Sequence, residues 1–128
     1  MDLSSRASIL GLIETAQQYG EIAMLVNAAG FGKTGTVEEI AKEDKKLQLR
    51  MIDLNCRGLV DMTRATLPYM ERGSRIIQVA SAAAFTPLPH MNVYAATKSF
   101  VLHYTRALRW ELHGTGITAT ALCPTWVK

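Results

Sequence analysis

A chain of 128 residues is long enough for one domain with a modest core. With 48% hydrophobic and 20% charged residues it reads as globular, and a net charge of +3, evenly spread, argues against nucleic acid as a partner. No run approaches the ~20 apolar residues of a membrane span, no signal peptide is visible, and the distant Cys56 and Cys123 read as reduced core thiols of a cytoplasmic protein.

Residues 5–18 carry apolar side chains at Ile9, Leu12, Ile13 and Ala16, a helical period, with Ser4 or Ser5 as cap and Gly20 as stop. The run "IAMLVN" at 22–27 predicts a strand buried on both faces. Thr36 and Glu39 have capping-box spacing, so a helical turn begins there. Residues 43–72 predict one long helix facing inward through Leu47, Met51, Leu54, Leu59, Met62 and Leu67, kinked by Pro68 and ended by Gly73. "RIIQVAS" at 75–81 predicts a second strand, and 82–92, with Pro87 and Pro89, a loop. A helix follows over 93–111, and "ITATALC" at 117–123 predicts a third strand ended by Pro124. Alternating helices and strands imply an α/β fold with a parallel sheet and a ligand site at the carboxyl ends of its strands, after Asn27, Ser81 and Cys123.

The stretch "LVNAAGFGKTG" matches two phosphate-loop patterns. Gly30, Gly32 and Gly35 fit G-x-G-x-x-G, but no second strand ending in an acidic residue follows; Asp53 has the offset yet lies in a helical pattern. The P-loop pattern fails at its first glycine, where Asn27 stands, and the later strands end without an acidic magnesium ligand. Lys33 then reads as a solvated loop residue.

A stronger constellation lies downstream. "YAATK" sets Tyr94 and Lys98 four residues apart, on one helix face, and Ser81 lies 13 residues before Tyr94 at a strand end. A phenol is a poor acid–base group at neutral pH, with a reference pKa near ~10. An ammonium at ~4 Å favours the phenolate by about 4 kcal/mol at an effective dielectric of ~20. Each ~1.36 kcal/mol lowers a pKa by about one unit, so such a pair brings a phenol toward the working pH of general acid–base chemistry.

The ordered set "NAAG" after a strand, "LN" at Asn55 in a long helix, "VAS" at Ser81, "YAATK" and "CP" at Cys123–Pro124 resembles the short-chain dehydrogenase/reductase family over nearly the whole chain. The resemblance implies a partial Rossmann-type, doubly wound parallel sheet, the family's fourth to sixth strands. It also implies an NAD- or NADP-dependent oxidoreductase acting on a small carbonyl or alcohol. Tyr94 would be the acid–base residue, Lys98 its partner and a ligand of the nicotinamide ribose, Ser81 the group polarising the carbonyl. Asn55 would hold a relay water. Asn27, Ala29 and Gly30 would support the sheet near the adenosine half, Asp2 would meet the adenine amine, and Pro124 would border the nicotinamide. Ala28 replaces the family's second Asn, and Thr125 the Gly after its Pro. Metal ligands are not expected.

Family members also carry a T-G-x-x-x-G-x-G pyrophosphate loop and a substrate segment after "CP", and residues 1–128 contain neither. The chain is therefore expected to form a single partial domain, to bind dinucleotide poorly alone, and to expose "IAMLVN" as a sheet edge. The family's dimer-forming helices match 43–72 and 93–113, where Phe100, Tyr104, Leu108 and Trp110 offer apolar contacts for a homo-oligomer. The alternative is an inactive member that binds partners through those helices.

Overall fold

The computed structural model describes residues 2–125; Met1 and residues 126–128, the ends of the expected domain, lie outside them. Three parallel strands, β1 (Met24–Asn27), β2 (Arg75–Val79) and β3 (Thr118–Leu122), form a sheet in the order β1-β2-β3. Leu25, Ile76 and Ala119 stand in register across it. This is the expected α/β architecture with a parallel sheet.

Helix α1 (Arg6–Gln17) buries Ile9 and Ile13, one helical turn apart, against the sheet. They pack with Leu25, Ile76 and Ala119, and with Met62, Leu108 and Leu112 from later elements. Full burial of each large aliphatic side chain stabilises by about 1.5–3 kcal/mol, so this cluster fixes the sheet beneath the site. Neither expected serine caps α1: Ser5 stands at the N-cap without a side-chain bond, and Ser4 Oγ donates to Asp2 instead.

The apolar run at 22–27 is shorter as a strand and is not buried on both faces. Leu25 and Asn27 point inward, while Met24 and Val26 are each 51% exposed. Among the described residues β1 pairs only with β2 and is an edge of the sheet.

The expected long helix over 43–72 is divided. Thr36 makes a complete capping box with Glu39 and starts α2 (Val37–Glu43). Asp44 then turns extended, with φ −154°, and its side chain accepts from Lys46 N at 2.9 Å, a local bond that competes with helix continuation. Helix α3 (Leu47–Ile52) runs into a π-helical turn (Asp53–Gly58) and then α4 (Leu59–Thr66). Pro68 lies in a closing 3₁₀ turn (Leu67–Tyr69), near its start, where a missing N–H costs little. The 82–92 segment likewise holds a 3₁₀ turn (Ala82–Phe85) before α5 (Asn92–Glu111).

A buried polar knot ties β1, β2 and α4. Asn27 Nδ2 donates to Gln78 Oε1 at 2.7 Å and Thr63 Oγ1 at 3.1 Å, and Gln78 Nε2 donates to Thr63 Oγ1 at 2.9 Å. Thr63 Oγ1 in turn donates to Leu59 O at 2.7 Å. Among the described residues no buried side-chain polar atom lacks a partner. Asn27 thereby ties β1 to β2 and α4 through its side chain.

Candidate active site

Because all three strands run in one direction, the segments leaving β1, β2 and β3 meet along one sheet edge. They line a cleft of about 700 Å³ whose wall includes Gly30, Ser81, Tyr94, Lys98, Pro124 and Thr125. Three of the four expected catalytic residues thus share one cavity.

Helix α5 presents Tyr94 and Lys98 on one face, and Ser99 Oγ bonds Ala84 O at 2.8 Å, tying α5 to the 3₁₀ turn that follows Ser81. Lys98 is 6% exposed. Its Nζ donates to Val79 O at 3.0 Å and stands 5.7 Å from the centre of the Tyr94 ring. Burial pulls this amine below the ordinary lysine range. Ser81 caps the 3₁₀ turn: its Oγ accepts from Ala83 N at 3.1 Å, which leaves its own O–H as a donor.

Asn55 stands behind the wall, wholly buried in the π turn. Its Nδ2 donates to Phe31 O at 2.9 Å and Thr97 Oγ1 at 3.1 Å, and its Oδ1 accepts from Phe31 N at 3.1 Å. Thr97 Oγ1 in turn donates to Tyr94 O at 2.7 Å. Asn55 thereby links the loop after β1 to the helix bearing Tyr94. Replacing it by Ala leaves Phe31 and Thr97 short of partners, so we expect a loss of about 2–3 kcal/mol, read as a lower urea midpoint. An unchanged midpoint would show that the clamp contributes nothing.

Residues 1–128 match the short chain dehydrogenase family along their whole length. This chain belongs to that family. It is 38% identical over 127 residues to the NADP-dependent 3-hydroxy acid dehydrogenase YdfG of Salmonella typhi, covering 97% of this chain and 50% of that protein. The serine dehydrogenase of Escherichia coli superposes with a TM-score of 0.87 at 36% identity, over 98% of this chain and 58% of that one. A short chain dehydrogenase/reductase from Burkholderia phymatum, solved in complex with NAD, superposes with a TM-score of 0.90 at 28% identity, over 99% and 46% of the two chains. The chain spans about half the length of the curated relatives it matches.

Within this member of the family the remaining expected residues are spread around the cleft rather than gathered in its wall. Asp2 is exposed ahead of α1, and bonds from the Ser4 hydroxyl and backbone N–H hold its carboxyl below the ordinary aspartate range. Asn27 belongs to the polar knot, Ala29 is exposed on the loop after β1, and Ala28 joins Gly30 on the wall. Lys33 is partly solvated, its side chain 38% exposed, and also pairs with Glu43 at 3.0 Å, which binds the loop to α2. Cys56 is buried, Cys123 half-buried, and both thiols are free. Among the described residues no cluster of metal-ligating side chains occurs, and no helix is long and apolar enough to cross a membrane.

Sequence reasoning missed Thr97, although it stands inside "YAATK", because a hydroxyl in a helix usually bonds back to its own turn. It also missed what Gly32 touches.

Proposed function

We propose that this chain carries the acid–base half of an NAD(P)-dependent carbonyl reductase or alcohol dehydrogenase working through Tyr94, Lys98, Ser81 and Asn55. The observation that supports the reading most is the convergence of Ser81, Tyr94 and Lys98 on one cleft at the carboxyl edge of a parallel sheet. The cleft suits the nicotinamide half of a dinucleotide. Among the described residues Lys98 has one acceptor, Val79 O, which leaves two further N–H donors for ribose hydroxyls. Gly30 has no Cβ where one would stand 3.0 Å from Asn55 Oδ1 and 3.4 Å from Lys98 Nζ, so backbone approaches both groups closely. Pro124 and Thr125 would border the nicotinamide, Asn27, Ala29 and Gly30 the adenosine side, and Asp2 the adenine amine.

When bound, NAD or NADP supplies or accepts the hydride. Ser81 donates its O–H to the substrate oxygen, holding the carbonyl and stabilising charge as it builds there. Tyr94 passes its phenolic proton to that oxygen, and Lys98 favours the phenolate that remains. Asn55 and Lys98 flank the same glycine, which suits a relay water between them. In the oxidative direction Tyr94 takes the proton back.

The 3-hydroxy acid dehydrogenases at 38–39% identity and a 3-ketoacyl-(acyl-carrier-protein) reductase at 34% identity are both named for oxygen at the third carbon of an acyl chain. We therefore assign β-oxo and β-hydroxy acyl compounds as the substrate class. The test is reduction of ethyl acetoacetate, followed by loss of NADPH or NADH absorbance, using the protein as its gene encodes it. Turnover with either nucleotide supports the reading; none, across a panel of β-oxo esters, contradicts it.

Residues 1–128 are read as one partial NAD(P)-binding domain of a cytosolic protein. NADPH titrated against this chain alone should bind more weakly than micromolar; micromolar binding would contradict that. Of the four apolar contacts expected on α5, Leu108 is buried in the core and Tyr104 is partly buried, whereas Phe100 and Trp110 are exposed; with the exposed Leu49 and Ile52 of α3 these two suit a homo-oligomer through α3–α4 and α5. Sedimentation as a clean monomer would reject it.

A further inference from the structure

The glycines of "GFGKTG" match a phosphate loop but line up with something else. An ideal Cβ on Gly32 would stand 2.7 Å from Tyr94 Cδ2, 3.0 Å from Cγ and 3.2 Å from Cε2. Carbon atoms pack at about 3.5–4.0 Å, so bare backbone lies against the ring where no side chain fits. Gly32 is not among the positive-φ glycines, so contact rather than backbone conformation demands glycine there. The loop carrying it is held on several sides. Asn55 clamps Phe31 through both backbone groups, Lys33 pairs with Glu43 at 3.0 Å, and Gly35, at φ +146°, donates its N–H to His90 O at 2.7 Å. His90 belongs to the segment leading into α5, so loop and helix start are tied on both sides of the ring's anchor.

We propose that Gly32 is a positioning residue for Tyr94: the loop 30–35 is a brace whose missing side chain at 32 seats the phenol ring at the cleft. Each glycine of the motif then has a duty unrelated to phosphate. Gly30 admits Asn55 and Lys98, Gly32 admits the Tyr94 ring, and Gly35 supplies the left-handed turn that reaches His90. The inference rests on the reading of Tyr94 as the acid–base residue.

Placing a methyl group at 32 forces the ring outward by a large fraction of an ångström. A displacement of ~1 Å at a reacting group costs about 10²-fold in rate. In the protein as its gene encodes it, reducing ethyl acetoacetate with NADPH, Gly32→Ala should lower kcat by about 10–100-fold. Its KM should stay near the parent's, its NADPH affinity should hold, and the pH dependence of kcat should be displaced. A purely structural role would instead lower the amount of folded enzyme and leave the pH profile of the remainder unchanged. Gly11→Ala, in α1 with nothing within 4 Å of the added methyl, is the control and should keep the parent's kcat. Parent kcat and pH profile in folded Gly32→Ala overturn the proposal. If Gly32→Ala does not fold, Lys33→Ala decides: it loosens the loop without adding atoms beside the ring. It should lower kcat by about two- to fivefold at constant KM, the scale of one exposed ion pair, and unchanged kcat there overturns the proposal. Tyr94→Phe, run in parallel, separates the two ideas. Retained turnover in that variant removes the acid–base reading itself, whereas its loss beside a normal Gly32→Ala removes only the positioning role.

Discussion

Tyr94→Phe is expected to abolish carbonyl reduction while leaving cofactor binding and stability nearly intact. The substitution removes one oxygen and keeps the ring, so the contact with Gly32 is preserved. The internal bond to this residue reaches its backbone: Thr97 Oγ1 donates to Tyr94 O at 2.7 Å, independent of the phenol. What disappears is the phenolic O–H proposed as the proton donor to the substrate oxygen. General acid–base catalysis contributes about 10²–10⁴-fold, so kcat should fall by that factor. The dinucleotide Kd, measured by fluorescence titration, should stay within about threefold, because the ribose contacts assigned to Lys98 remain. A parallel loss of binding and turnover would instead mean that Tyr94 holds the site together rather than working in it.

Lys98→Met is expected to remove turnover and yet raise stability. Lys98 is buried in the cleft wall with, among the described residues, a single carbonyl partner, and desolvation draws its amine below the ordinary value of 10.5. The sign follows from proton linkage. Between the lowered value of the folded state and 10.5, the unfolded chain binds the proton more tightly, so the folded chain is penalised at lower pH. That penalty is fully present at neutral pH and lifts as the solution becomes alkaline. Methionine fills a similar volume without the charge, and exchanging buried charge for apolar packing is often stabilising. Allowing for the lost bond to Val79 O, the variant should gain about 1 kcal/mol at neutral pH, read as a higher unfolding midpoint. The gap should narrow as pH rises. A less stable variant at neutral pH would show that the Val79 bond outweighs desolvation.

Where the order of elements and the placing of Tyr94 beside Lys98 could be read from sequence, the reason is local. Tyr94 and Lys98 share a helix face because they are four residues apart, and Ser81 reaches the same cleft because parallel strands end on one side. Thr36 and Glu39 formed their capping box because both partners lie within one turn. The misreadings concern burial and long-range contact. The apolarity of "IAMLVN" does not reveal that only one face of β1 is covered among the described residues. The helical period over 43–72 hides the Asp44 turn, whose side-chain bond is invisible to periodicity, and the π turn that brings Asn55 inward. The surface pair of Lys33 with Glu43 is not legible because its partner lies ten residues on, at the end of α2. The glycine motif was conspicuous for the wrong reason: spacing alone does not distinguish backbone laid against phosphate from backbone laid against a tyrosine ring.

If this cleft passes hydride between a nicotinamide and a carbonyl carbon with Tyr94 as the proton donor, the transfer can be followed isotopically. The protein as its gene encodes it is given ethyl acetoacetate and NADPH deuterated at the reacting ring carbon, each face labelled in turn, and the alcohol is analysed by mass spectrometry. One deuterium per product molecule is expected from one of the two labelled faces, formed about 10²–10⁴-fold more slowly when Tyr94 is replaced by Phe. Alcohol formed without deuterium from either face, or labelled alcohol formed equally well by Tyr94→Phe, would contradict it.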